Sequence, residues 1–284
     1  MTDSELKALV VLLDDEDPEV YSHVLDKIKS QGTGIIPFLE EQWETQFNPV
    51  CQQRLEGIIH ELQFDLVCTR LRVWNEGNQN NLLEVLWIIA TYQFPDLGID
   101  ELKKQIEEIY IETWRQLKKN LSPFDQIKII NNVIFRNYKF CANSKNFHSP
   151  ANSMINTVLE SKKGNPISLC SVYLLICQKL DLPLFGVNLP NLFMLTYKTD
   201  KLHFFINVFN KGLVFSKDDI ENYIDHLKIT PRKSFFEPCD HRTIAVRYLR
   251  NLLISFEHLG EHHKTDEINQ LLAAIGVRPI DSLF

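Results

Sequence analysis

Cys170 stands in the segment KKGNPISLCSVYLLICQKLDLP, residues 162 to 183, and two side chains further on could complete a reactive set with it, His203 and Asn207. A thiol beside an imidazole, with a carboxylate or side-chain amide orienting the ring, is the arrangement of cysteine-dependent hydrolases and acyltransferases. His203 and Asn207 share strand parity, so both can face one side of a strand. The run around the cysteine argues for another role. Leu169, Val172, Tyr173, Leu174, Leu175, Ile176 and Cys177 leave the helix apolar nearly all round, which marks a buried helix. A thiol in such company has a raised pKa and acts as packing. The burial reading of Cys170 is the stronger, and a shifted pair with His203 stays open beside it.

Other polar residues could line a cleft near this helix. Asn165 precedes Pro166 and suits the helix cap, with Ser168 and Ser171 on the following turns. His148 sits in an Asn-rich stretch beside Pro150, and Asn191 follows Pro190. His258, His262 and His263 surround Gly260, but without cysteine or carboxylate pairs beside them they read as solvated surface histidines rather than metal ligands. The sequence holds no glycine-rich phosphate loop, serine nucleophile elbow or paired metal carboxylates, so no cofactor or metal is expected.

The elements that must hold these residues change along the chain. Residues 1–120 read as helices, with a weak internal repeat in which Asp17-Pro18, Ile28 and Trp43 recur at one interval as Asn48-Pro49, Ile59 and Trp74. That pattern is similar to HEAT repeats, each unit closing near a turn such as Gly32 to Gly34. A stripe of Leu102, Ile106, Ile109, Tyr110 and Trp114 predicts a helix over 99–120, and Ser122-Pro123 opens another. Residues 139–164 read as a long surface loop enclosing a short helix. Strands follow within 185–215, interrupted at Pro190, Lys198 to Lys201 and Asn210 to Gly212. A short helix over KDDIENYIDHL then precedes a helical hairpin over 241–275, similar to one tetratricopeptide-type repeat, with its turn at Gly260.

Composition excludes several function classes. A 44% apolar and 24% charged chain buries a real core, and a formal charge of −7 with scattered basic residues argues against a nucleic-acid partner. No apolar run approaches the roughly 20 residues of a membrane span, and the acidic first residues lack the pattern of a secretory signal. Six widely spaced cysteines without CxxC pairing fit reduced thiols in a cytoplasmic protein.

The stretches SPFDQIKIINNVIF, NYKFCANSKNFHSPANSMINTVLESKKGNPISLCSVYLLICQKLDLPLFGVNLP and FFINVFNKG, in this order, resemble the SirB-type branch of the transglutaminase-like superfamily over about residues 121–275. The resemblance implies an α+β, mostly helical fold with a degenerate transglutaminase-like (papain-like) core. Domains are expected at 1–120 (HEAT-like), 121–235 (core) and 236–284 (tetratricopeptide-like hairpin). Catalytic members carry a cysteine at the start of the central helix, then a histidine and an aspartate on later strands. Counting forward from Gly164 and back from Asp181-Leu182-Pro183 puts the cysteine position on Pro166; the histidine position falls on Leu192 and the aspartate position on Asn207. All three are replaced. The expectation is a non-catalytic binding or regulatory protein with a protein or peptide partner. The alternatives are a hydrolase using Cys170 and His203, or a helical-repeat interaction scaffold.

Overall fold

Proline and a capping side chain together start several of the helices, and the apolar stripes decide what each one buries. The structure is a computed structural model that describes residues 1–77 and 81–277. The chain separates into two compact units, Met1–Arg70 and Leu71–Phe284. In the first, α1 (Asp3–Val11), α2 (Pro18–Lys29) and α3 (Ile36–Thr45) pack on the first half of α4 (Pro49–Glu76). Their core gathers Leu13, Val24, Ile28, Leu39, Leu55 and Ile58. Asp17 caps α2 by accepting from the Glu19 amide at 2.9 Å, one residue after which the ring of Pro18 sets the first turn.

The repeat seen in the sequence is not a repeat of structure. Its first copy turns at Gly32, whose φ is 71°, between α2 and α3, whereas its second copy lies inside the 28 unbroken residues of α4. Gly32 and Gly34 correspond there to Gln63 and Asp65, which offer the helix no reason to stop.

The second unit contains α5 (Leu82–Thr91), α6 (Ile99–Gln116), α7 (Pro123–Asn131), α8 (Ile155–Ser161), α9 (Pro166–Lys179), α10 (Lys217–His226), α11 (His241–Leu259) and α12 (His262–Ala274). Short strands β1 (Cys141–Ala142) and β2 (Lys163–Gly164) pair in parallel. A meander of β3 (Leu184–Leu189), β4 (Leu192–Lys198), β5 (His203–Asn207) and β6 (Leu213–Phe215) is antiparallel throughout, in the order β3-β4-β5-β6. The described chain is 66% helical with small sheets, which is an α+β architecture.

Register fixes the two faces of the meander. Val187 pairs with Met194 and Thr196 with Phe205, so these share one face, which packs with Ile220 and Ile224 of α10 and with Phe235. The other face carries Phe193, Leu195 and Ile206, and α9 packs against it. With both faces covered, β4 is buried along its five central residues.

Two sequence expectations change here. The stripe of α6 runs through Leu102, Ile106, Ile109 and Thr113, while Trp114 is 61% exposed. Thr113 tolerates burial because its hydroxyl donates to the Ile109 carbonyl at 2.8 Å. The stretch 139–164 is not a surface loop either. Its base is tied by β1 and β2, and Asn152 through Asn156, Val158 and Leu159 are buried. The buried Asn152 amide is satisfied by donating to the carbonyls of Asn146 and Phe147, at 2.7 and 3.0 Å. α11 and α12 form a hairpin around Gly260.

Candidate functional site

The start of α9 is built by its cap. Asn165 Oδ1 accepts from the Ser168 amide at 3.0 Å, and Ser168 Oγ accepts from the Asn165 amide at 3.0 Å, a reciprocal capping box. Asn165 Nδ2 also donates to Ser153 Oγ at 2.9 Å, which fastens the segment before α8 to the helix. Gly164 lets β2 approach this box closely, since a Cβ there would collide with Ser168 Oγ. Asn165→Ala is expected to cost about 1–2 kcal/mol, the usual range for a lost cap. Urea unfolding measures it, and a loss below about 0.3 kcal/mol would show that the cap is not holding the helix.

A cavity of about 250 Å³ opens at this end of α9. Of the residues singled out in the sequence, Asn165, Pro166, His148 and Asn191 line it together. Ser168 and Ser171 do not. Ser168 is fully buried in its capping box, and the Ser171 hydroxyl faces that of Tyr248 in the core without a bond of ordinary geometry. His148 meets His258 in a tilted ring contact, with centroids 4.2 Å apart, so His258 is paired with the cavity-lining His148 rather than grouped with the other two histidines of the hairpin. His262 is exposed, and His263 Nδ1 lies 3.7 Å from Glu267 Oε1.

α11 supplies the opposite wall through Arg247, Asn251 and Ser255, which sequence reading missed. Their spacing of four placed them on one helix face, beside the apolar stripe of Ile244, Tyr248, Leu252 and Phe256, and that was the available signal. Ser255 Oγ donates to the Asn251 carbonyl of its own helix at 2.8 Å. Among the described residues, no cysteine and no carboxylate lines this cavity.

Cys170 lies elsewhere. It is fully buried, its thiol directed at the Phe193 carbonyl 3.5 Å away, and burial pushes its pKa far above the usual thiol range. His203 and Asn207 share the face of Phe205, which is the α10 side of the sheet, whereas Cys170 sits on the α9 side. The sheet therefore lies between the thiol and the imidazole. Asn207 accepts from the Asn210 amide at 3.0 Å and so caps the turn that follows β5, and Leu192 packs into the α10-side core. Of Pro166, Leu192 and Asn207, only Pro166 lines the cavity.

His203 has its own environment. Nε2 is buried without a hydrogen-bond partner among the described residues, and burial, then the nearby Lys198 charge, lowers the ring's pKa against a weaker opposing pull from Glu237. The folded ring resists a proton that the unfolded ring accepts near 6.5. The unfolded chain thus binds more protons below that pH, and stability falls as pH drops through 6.5 toward the folded pKa. The wild-type urea midpoint is expected to drop further between pH 7.5 and 5.5 than that of His203→Gln, and equal drops would contradict this.

With this geometry in place, the comparisons decide the family. The model of the Transglutaminase-like superfamily matches residues 100–250. The chain belongs to the transglutaminase-like superfamily. A UPF0162 protein of Xylella fastidiosa (strain 9a5c) is 28% identical to this transglutaminase-like chain over 178 residues, which cover 60% of the chain and 63% of that protein. A UPF0162 protein of Pasteurella multocida is 26% identical over 106 residues, 37% of this chain and 40% of that protein. The F-box only protein 21 of Mus musculus is 26% identical over 151 residues, 50% of this chain and 23% of that protein. The chain thus spans less than two thirds of the length of these relatives. No solved structure matches it. No helix among the described residues is long and apolar enough to cross a membrane.

Proposed function

We propose that this chain is a non-catalytic binding or regulatory protein, of the SirB-type branch, built on a transglutaminase-like core that keeps its shape without the superfamily's thiol chemistry. The observation that carries this reading is the content of the α9 cavity: proline stands at the helix start, and no thiol or carboxylate lines the walls among the described residues. A nucleophilic cysteine needs access and a stabilised thiolate. Cys170 has neither, because it is sealed under the sheet with its pKa raised by burial. The motifs quoted from the sequence, in their order, support the branch, and the six free cysteines support a cytoplasmic setting.

What the cavity offers instead is recognition. The His148 imidazole, the Arg247 guanidinium and the amides of Asn191 and Asn251 suit hydrogen bonding to a peptide or a polar ligand. The test is turnover of activated esters and glutamine-amine transfer by the full chain and by Cys170→Ala. Both proteins are expected at the background rate. Turnover that Cys170→Ala abolishes while the variant stays folded would sink the proposal and restore the hydrolase reading with Cys170 and His203.

A second reading, an interaction scaffold working through its helices, is favoured by one observation in the first unit. Phe47 is 98% exposed, Val11 70% and Val50 50%, and Cys51 brings the start of α4 to the end of α1 by its 3.5 Å contact with the Val10 carbonyl. Exposed apolar side chains gathered at one end of a helical unit suit a protein partner. The tetratricopeptide-like hairpin of α11 and α12 would extend that role. Phe47→Ser with Val50→Ser is expected to reduce retention of a protein that the wild type captures, and equal retention would remove this reading.

A further inference from the structure

A larger cavity, of about 480 Å³, lies between the end of β3, residues 232–240 and the first half of α11. Four cationic side chains line it: Arg232, Lys233, Arg247 and Arg250. Two acids line it as well, and both have other duties. Glu237 is held in an ion pair by Lys198, and Asp240 caps α11 by accepting from the Thr243 amide at 2.7 Å. The cup is therefore positive.

Arg247 is partly buried, unlike the exposed Arg232 and Lys233, and no ion pair among the described residues neutralises it. Its Nη1 donates to Asn188 Oδ1 at 3.1 Å and to the Leu189 carbonyl at 3.4 Å, both uncharged acceptors. Nε and Nη2 have no partner among the described residues, and no carboxylate pairs with this guanidinium there. Burial, then the like charge of Arg250 one turn along α11, holds its pKa below the ordinary arginine value. A half-buried guanidinium with no carboxylate of its own is costly unless an anion joins it. The two bonds to Asn188 and Leu189 fix the fork in place, which is the preorganisation that bidentate recognition of an oxyanion uses.

We propose that this cavity binds a small, doubly charged oxyanion, the phosphate group of a phosphorylated molecule or the carboxylates of a diacid, between Arg247 and the Arg232-Lys233 pair. The volume suits a small metabolite. The inference stands whether or not the chain catalyses a reaction, since no residue of it acts as acid, base or nucleophile.

Isothermal titration calorimetry of the full chain with inorganic phosphate and, separately, with malonate tests it. Saturable one-to-one binding of at least one anion is expected, with Kd below about 1 mM. The tighter of the two identifies the source, phosphate for a phosphorylated ligand and malonate for a diacid. Arg247→Gln is expected to weaken binding by about tenfold or more, the usual scale for a charge-assisted hydrogen bond. Arg232 and Lys233 are exposed, so Arg232→Ala with Lys233→Ala leaves the core intact and is expected to weaken binding several-fold. Absence of saturable heat for both anions up to about ten times that Kd, or an affinity that the Arg232/Lys233 double variant leaves unchanged, overturns the proposal. The double variant decides even if Arg247→Gln does not fold.

Discussion

Gly212→Ala is expected to lower the free energy of unfolding by about 3 kcal/mol, a large effect for one methyl group. Gly212 closes the turn between β5 and β6 with φ at 75°, where a side chain is strained, and an added Cβ would overlap the amide of Asn131. That amide joins three elements. Asn131 Nδ2 donates to the Gly212 carbonyl at 3.1 Å, and Asn131 Oδ1 accepts from the fully buried Tyr173 hydroxyl at 3.1 Å. Moving Asn131 aside therefore breaks the tie between the end of α7, the central helix α9 and the β5–β6 turn, and strands a buried phenol. Urea midpoints measure the loss. The combination with Asn131→Ala is expected to cost less than the sum of the single changes, because the smaller side chain removes the overlap. A loss below about 1 kcal/mol for Gly212→Ala, or strict additivity, would show that the Asn131 bridge does not hold these elements together.

The other large effect concerns reactivity. Pro166→Cys is expected to produce the fastest thiol in the chain, alkylated about 100-fold or more faster than Cys170 at pH 7.5. Position 166 lines the cavity at the first turn of α9, where helix amides stabilise a thiolate, while position 170 lies a turn deeper and fully buried. On the proposed reading the variant is expected to turn over no ester, since Leu192 and Asn207 supply no base or orienting carboxylate and no carboxylate among the described residues lines the cavity to orient His148. Mass spectrometry of iodoacetamide-treated protein reads the rates by peptide. Equal rates at the two positions would mean that the cavity does not expose the helix start.

Much of the core was legible in the sequence because local signals and burial agree there. Ser122-Pro123 and Asn165-Pro166 start α7 and α9 as cap-proline pairs should, and the breaks at Pro190, 198–201 and 210–212 separate the strands of the meander. The features missed depend on partners far along the chain. Asn152 and Ser153 read as the start of a short helix within a surface loop, because their polarity gives no hint of the carbonyls and of Asn165 that satisfy them when buried. His203 and Asn207 do share a face, as alternation requires, but the pattern could not say that α10 rather than α9 covers it. The same gap hid Arg247, whose role appears only once α11 folds back beside β3 and β4. In the first unit, matching prolines and tryptophans suggested a repeat, yet Gln63 and Asp65 in place of glycines let α4 run through.

Alkylation of the unmodified protein's cysteines across a urea series, read peptide by peptide, tests the central claim most directly. Cys141, only partly buried, is expected to react in native buffer, whereas Cys170 and Cys177 react only at the rate at which the whole core opens. Modification of Cys170 in native buffer at or above the rate of Cys141 would contradict a core without an available nucleophile.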